Sequence, residues 1–206
     1  MIVAPQVDER PLPEEAPEEY VLRLALTKAE AALGLLGETD SMIIVAADTT
    51  VVADLPDKDD PTLVRATILG KPNHTAEAEQ MLRALRGRTH RVYTGLAALR
   101  AADGKRRSAL VVTEVLMRPY SDEEIMAYIA SGDPMDKAGA YAIQHADFHP
   151  VQNLQGCYAN VMGLPLCHLA QMLAQLGLDS RKNIFEACQQ ETGVPCQVYL
   201  DALHQR

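Results

Sequence analysis

Residues 42–53, MIIVAADTTVVA, indicate the central strand of this chain. The six apolar residues 42–47 predict a buried strand, although so short a run cannot be told from a buried helix by periodicity alone. Residues 51–53 continue the extended structure. In an open α/β sheet, a polar residue at the carboxyl end of a strand faces the ligand crevice. Asp48 is therefore a candidate metal ligand or a base that deprotonates water. The alternative is an aspartate that hydrogen-bonds a local turn beside Thr49.

Helical and extended segments alternate on both sides of this stretch. Start and stop signals predict helices over 17–36, 75–87, 121–130 and 164–176, and a hairpin of strands 91–100 and 106–118 around Asp103-Gly104. Thr75 is the expected N-cap of the second helix, and Ser121 with Glu124 fits a capping box. Residues 54–66 are acidic and contain prolines, which predicts a loop. The pattern predicts an α/β fold with a mixed sheet.

Bulk composition excludes several classes of protein. A chain of 206 residues and 22.5 kDa forms one domain, or one domain with two lobes. The net charge of −9 argues against a nucleic-acid surface, but it leaves room for a nucleotide pocket with a few cations. No apolar run reaches the ~20 residues of a membrane span, and no secretion signal is seen. The four cysteines form no CxxC, which argues against zinc and indicates a cytoplasmic protein.

Two lysines are candidates for phosphate binding. Gly70-Lys71-Pro72 places Lys71 in a tight, stiff turn, where it can act as a point charge for phosphate. An ordinary turn with a solvated lysine is the alternative. Lys28 lies one turn beyond Leu24, near the apolar stripe of the first helix. It either points into a pocket or extends towards water.

A carboxylate pair and an amide complete the set of candidates. Asp8-Glu9 precedes the first helix and can share a metal, or it is a solvated charged segment. Residues 136–144, DKAGAYAIQ, are rich in small side chains and let the backbone approach a ligand. Gln144 can then bind a base edge through its amide. The alternative is a close-packed turn with a surface glutamine.

Together these segments resemble the Maf family of nucleoside triphosphate pyrophosphatases. The matching motifs, in order along residues 7–176, are VDER (7–10), LALTKAE (24–30), AADTTVV (46–52), ILGKP (68–72), AEQMLRALRGRTHRVYTGLAAL (78–99), DPMDKAGAYAIQ (133–144) and NVMGLPL (160–166). The resemblance implies a Maf/ITPase-like fold, in which helices flank a twisted mixed sheet and two lobes surround a cleft. It also implies a domain over 1–178, followed by a helical extension over 179–206.

The resemblance further implies an activity and a role for each candidate residue. The family cleaves nucleoside triphosphates into monophosphate and pyrophosphate, using a divalent metal (Mg²⁺ or Mn²⁺). By motif, Asp48 is the proton acceptor and Glu9 its acidic partner at the metal. Lys71 is catalytic and binds phosphate, and Lys28 also binds phosphate. Thr49 and Gln144 match positions tied to base choice, in the pattern of the dTTP and UTP branch.

One feature of the family is not found. Its members carry a strand and an S-x-S-P-R-R loop some tens of residues before the segment that matches 7–10, whereas Met1 lies six residues before Val7. We expect a fragment or a misassigned start codon. If the chain is natively this short, weak or absent hydrolysis and a less stable sheet are expected. Restoring the upstream segment tests this expectation.

The sequence thus favours a cytoplasmic house-cleaning enzyme that removes non-standard or excess pyrimidine triphosphates. It is expected to bind no nucleic acid and no membrane, and a homodimer is an open option. An alternative is a catalytically impaired nucleotide-binding or cell-division regulatory protein. A more remote one is another metal-dependent phosphatase, which would release orthophosphate.

Overall fold

The computed structural model describes residues 1–36, 42–57, 60–194 and 196. In chain order the elements are α1 (Pro17–Leu36), β1 (Ile43–Pro56), β2 (Val64–Leu69), α2 (Thr75–Leu85), β3 (Thr89–Arg100), β4 (Arg106–Met117), α3 (Asp122–Ala130), β5 (Val151–Gln155), α4 (Tyr158–Val161), α5 (Leu166–Gln175) and α6 (Ile184–Thr192). Two 3₁₀ turns, Asp133–Asp136 and Ala138–Ala140, lie between α3 and β5. None of the described helices is both long and apolar enough to span a bilayer.

The strands form one sheet in the order β2-β1-β3-β4-β5, which confirms the α/β class. The sheet predicted as mixed is antiparallel in both pairs whose register is described, β1 with β2 and β4 with β5. The hairpin predicted around Asp103-Gly104 is confirmed: the Arg100 amide donates to the Lys105 carbonyl at 2.9 Å, and Gly104 adopts a φ of 67°.

Two local predictions were wrong. Residues 54–66 are not all loop, because β1 continues to Pro56 and β2 begins at Val64. These residues pair across the hairpin, and the ladder of backbone hydrogen bonds outweighs their acidic composition. The N-cap of α2 is His74 rather than Thr75. Its Nδ1 accepts the Glu77 amide at 3.2 Å, so the imidazole takes the place expected for a threonine hydroxyl. The capping box of Ser121 and Glu124 is confirmed.

The chain divides into two compact units, and each is described by itself. The first unit comprises Met1–Thr49, Tyr93–Val111 and Tyr158–Arg206, and the second comprises Thr50–Val92 and Val112–Cys157. Strands β1, β3 and β4 each contribute residues to both units. The predicted boundary at residue 178 is tested by neither unit and stays a prediction.

In the first unit, the alternation of β3 separates two hydrophobic clusters. Ala97 and Leu99 pack with Ile44 of β1 against the alanine face of α1. Leu96 and Ala98 pack against Met172 and Leu176 at α5, together with Ile43 and Ala47 of β1. Because successive side chains of a strand point to opposite faces, α1 covers one face of the sheet here and α5 covers the other.

Candidate active site

Asp48 lies within β1 on the face that α1 covers, and the prediction that it follows the end of a strand was wrong, because residues 51–56 continue the strand by pairing with β2. It is four residues after Ile44, which packs in the α1 cluster, and the even positions of the strand share that face. The residue is buried, and its Oδ1 lies 2.6 Å from the Nζ of Lys28. A carboxylate in this setting is held in a fixed orientation and is partly shielded from water.

Lys28 joins two carboxylates. Its Nζ lies 2.6 Å from Asp48 and 2.7 Å from Oε1 of Glu9, and its side chain is 22% exposed. Burial alone would lower the pKa of Lys28, but the hydrogen bonds that its ammonium donates to Asp48 and Glu9 outweigh burial and raise the pKa. Lys28 therefore stays charged and does not extend towards water, and Glu9 is not simply a solvated acid.

The first turns of α1 hold Glu9 in place. The hydroxyl of Tyr20 donates to the Glu9 carbonyl at 2.9 Å, and Nη2 of Arg23 donates to the Arg10 carbonyl at 3.2 Å. Arg23 also pairs with Glu15, whose side chain is only 6% exposed. Sequence reasoning missed Tyr20 and Arg23. Their spacing of three residues, on the helix that carries Lys28, was the available signal.

Glu9 and Asp48 can serve a divalent metal. Mg²⁺ prefers oxygen ligands, keeps several waters, and is commonly held by one or two carboxylates together with substrate phosphates. Two carboxylates match that donor set. In the described part of the chain, no group of three or more His, Cys, Asp or Glu residues is arranged to hold a metal by itself. The substrate would therefore have to supply further ligands.

Thr49 points to the face opposite Asp48. Its Oγ1 lies 2.8 Å from that of Thr94, and the Thr94 hydroxyl donates to the Asn160 carbonyl at 3.1 Å. Because Thr94 uses its single proton on that carbonyl, it must accept the proton of Thr49. Thr49 thus links β1, β3 and α4, and its role in base choice stays a prediction. Sequence reasoning did not single out Thr94 or Asn160, although both lie in the quoted motifs.

A cavity of about 540 Å³ opens beside Lys28 in the first unit. It is lined by Ala32 and Leu36 of α1, by residues 42–47 at the start of β1, and by residues 1–3 and 5. Its volume is in the range of small-molecule sites. Lys28 therefore lies beside both a carboxylate pair and a cavity lined mainly by apolar residues.

The remaining candidates, Lys71 and Gln144, belong to the second unit, and both are exposed. Lys71 lies two residues after the end of β2. The segments that carry the two residues are joined, because the Gly139 amide donates to the Gly70 carbonyl at 3.0 Å. The motifs ILGKP and DKAGAYAIQ therefore meet in the fold, although these two glycines lie 69 residues apart in the sequence.

His90 contacts the motif DKAGAYAIQ through Tyr141. It is 3% exposed, and its Nε2 lies 2.8 Å from the hydroxyl of Tyr141, which is 5% exposed. Burial lowers the pKa of His90 to about 4 and raises that of Tyr141. Both groups are therefore neutral near pH 7.

His90 should make the stability of the protein depend on pH. Its folded pKa of about 4 is below its ordinary value of 6.5, so its contribution is complete above pH 6.5 and is lost as the pH falls towards 4. Between pH 7 and 5 the free energy of unfolding should fall by about 2 kcal/mol more in the wild type than in His90→Gln. Urea titrations at the two pH values measure this difference. His74→Asn, which removes an exposed imidazole but keeps an N-cap, should behave as wild type, and equal pH slopes for wild type and His90→Gln would contradict the prediction.

Comparison with known proteins decides the family. The family profile described as Maf-like protein matches residues 1–176. The chain belongs to the Maf-like protein family. This confirms the resemblance, and the α/β fold agrees with it.

Among the relatives of this Maf-like chain are proteins named dTTP/UTP pyrophosphatase. The protein of Nitrosomonas europaea is 44% identical over 174 residues, which cover 84% of this chain and 78% of that protein. The protein of Geobacter sulfurreducens is 43% identical over 177 residues, 85% of each chain. That of Syntrophotalea carbinolica is 40% identical over 176 residues, 85% of this chain and 74% of that protein.

Proposed function

We propose that this Maf-like chain hydrolyses dTTP and UTP to the nucleoside monophosphate and pyrophosphate. The observation that carries the proposal is the convergence of Asp48 and Glu9 on Lys28. A buried carboxylate oriented by a charged lysine suits proton transfer, and the lysine suits an anionic substrate. The names of the relatives supply the substrate class.

Asp48 is the base in this proposal. It accepts a proton from a water molecule, whose oxygen bonds to the α-phosphorus as the bond from that phosphorus to the bridging oxygen breaks. Pyrophosphate leaves with the bridging electron pair. Lys28 orients the carboxylate of Asp48 and offsets negative charge on the phosphates.

Glu9 and Asp48 would hold the divalent metal, Mg²⁺ or Mn²⁺. When bound, the metal neutralises charge on the phosphate oxygens. Glu9 suits this role because its backbone is anchored by Tyr20 while its side chain remains half exposed. The residue can therefore reach an ion without losing its position.

Lys71 and Gln144 are assigned to the nucleotide by motif and chemistry. Lys71 is proposed to bind phosphate, and Gln144 is proposed to bind the base edge through its amide. Both side chains are exposed and available to a ligand. Removal of excess or non-standard pyrimidine triphosphates in the cytoplasm is the cellular role that fits this substrate class.

The test measures by chromatography how fast the protein consumes four nucleotides, dTTP, UTP, CTP and 7-methyl-GTP. Separate reactions contain Mg²⁺, Mn²⁺ or EDTA. We expect dTTP and UTP to be consumed at least about tenfold faster than the other two nucleotides. A site that hydrogen-bonds one base strongly rejects a base that cannot form those hydrogen bonds. EDTA should abolish turnover. Glu9→Gln should raise the metal concentration needed, whereas Glu19→Gln, at an exposed acid of α1, should not. Nucleotide binding without turnover would overturn the proposal and favour a regulatory protein.

A further inference from the structure

The segment of residues 137–144, here called the strap, has an unusual backbone. Gly139 and Ala140 both adopt left-handed conformations, with φ of 68° and 59°. Such a conformation costs little for glycine but is unfavourable for alanine. A strained residue persists only where its surroundings hold it, and such residues concentrate at functional sites.

Hydrogen bonds from three directions hold the strap. The Gly139 amide donates to the Gly70 carbonyl at 3.0 Å, and the Ala142 amide donates to the hydroxyl of Tyr128 at 3.0 Å. Between them, the hydroxyl of Tyr141 bonds Nε2 of His90 at 2.8 Å. Residues on both sides of the strained position are therefore fixed.

The contact of Tyr141 with His90 is buried. The two rings meet edge to face, with centroids 5.4 Å apart and an interplanar angle of 83°. The strap also presses closely on β1, because a Cβ at Gly139 would lie 2.9 Å from Cγ2 of Val51. The centre of the strap is therefore closely packed on both sides, while its end at Gln144 is exposed.

We propose that His90 and Tyr141 are positioning residues for nucleotide binding. Their hydrogen bond fixes the strap, and the strap fixes Gln144 and, through the bond from Gly139 to Gly70, the backbone beside Lys71. The inference rests on the proposed function, because it assigns base binding to Gln144. Neither His90 nor Tyr141 needs to touch the substrate.

The kinetic test compares two substitutions that remove the bond with one that keeps it. Tyr141→Phe and His90→Phe should each raise KM for UTP about tenfold with kcat little changed, because displacement of a binding group weakens binding. His90→Gln, whose amide can still bond the tyrosine, should keep KM near that of the wild type. Tyr141→Phe should also lower the preference for UTP over CTP, and in a Gln144→Ala background it should leave that preference unchanged. An unchanged KM in Tyr141→Phe would overturn the inference.

Amide hydrogen exchange tests the strap without any turnover. In Tyr141→Phe, exchange at residues 139–142 should accelerate about tenfold, while exchange in α2 stays unchanged, because local opening is independent of global unfolding. Equal acceleration throughout the second unit would show a purely structural role and overturn the inference. If the wild type turns over no nucleotide, the proposed function fails, but this measurement still decides whether His90 and Tyr141 position the strap.

A double substitution guards against unfolding. Loss of one partner leaves a buried polar atom unsatisfied, whereas replacement of both partners by apolar groups can be nearly neutral for stability. His90→Phe/Tyr141→Phe should therefore be more stable than either single variant and still show the raised KM. A double variant with the KM of the wild type would contradict positioning by the hydrogen bond.

Discussion

Asp48→Asn is expected to lower kcat for dTTP by about a thousandfold, within the range for loss of a general base. An amide has nearly the size of a carboxylate but cannot accept the proton of a water molecule. The substitution also removes one of the two charges beside Lys28, which then keeps only Glu9. The measurement is the initial rate of pyrophosphate release at saturating dTTP and metal.

A second aspartate of β1 provides a matched control. Asp54 pairs with Arg91 at 3.0 Å, and its side chain is 61% exposed. Because an exposed ion pair contributes little, Asp54→Asn should keep kcat within about twofold of the wild type. Similar rates for Asp48→Asn and Asp54→Asn would remove Asp48 from the mechanism.

Gly95→Ala is expected to be the most damaging single methyl addition in the first unit. A Cβ at Gly95 would lie 2.5 Å from the carbonyl carbon of Val21 and 2.8 Å from the amide nitrogen of Leu22, and still closer to the Val21 carbonyl oxygen. The obstacle is backbone of α1, so no side chain can rotate away. We expect a loss of about 3 kcal/mol or more in the free energy of unfolding.

The Gly95→Ala substitution should also disturb the candidate active site. Helix α1 carries Lys28, so a shift of the helix away from β3 separates Lys28 from Asp48. Thermal unfolding should show a Tm lower by about 10 °C, given the usual relation for a chain of this size. Gly34→Ala is the matched control, because nothing lies within 4 Å of its added Cβ, and alanine favours a helix interior. A Gly95→Ala variant with the Tm of the wild type would show that α1 does not approach β3 as described.

Local signals in the sequence were sufficient for most elements. The apolar run 42–47 gave the core strand, and Ser121 with Glu124 gave the start of α3. Structure that depends on pairing with a distant segment was harder to predict. Nothing in residues 54–66 alone shows that Val51–Pro56 pairs with Val64–Leu69, because the pairing depends on register.

The residues of the candidate site likewise differ in whether a local signal or a long-range contact identifies them. Asp48 was singled out because a strand was expected to end there, which is a local argument, but β1 continues to Pro56 and Asp48 lies within it. Lys28 and Glu9 each had an ordinary interpretation by themselves, and only the fold shows that they meet at one ammonium group. His90 and Tyr141 lie 51 residues apart, and no spacing in the sequence predicts their contact. Long-range contacts of this kind depend on how α1 and the strap pack, so local patterns do not contain them.

The most direct test of the central claim is a ³¹P NMR spectrum of dTTP incubated with the 206-residue protein and Mg²⁺ or Mn²⁺. We expect dTMP and pyrophosphate in equal amounts, with no orthophosphate at early times, and no products from Asp48→Asn over the same interval. Formation of dTDP and orthophosphate would contradict cleavage at the α–β bridge. Equal product formation by Asp48→Asn would contradict the assignment of the base.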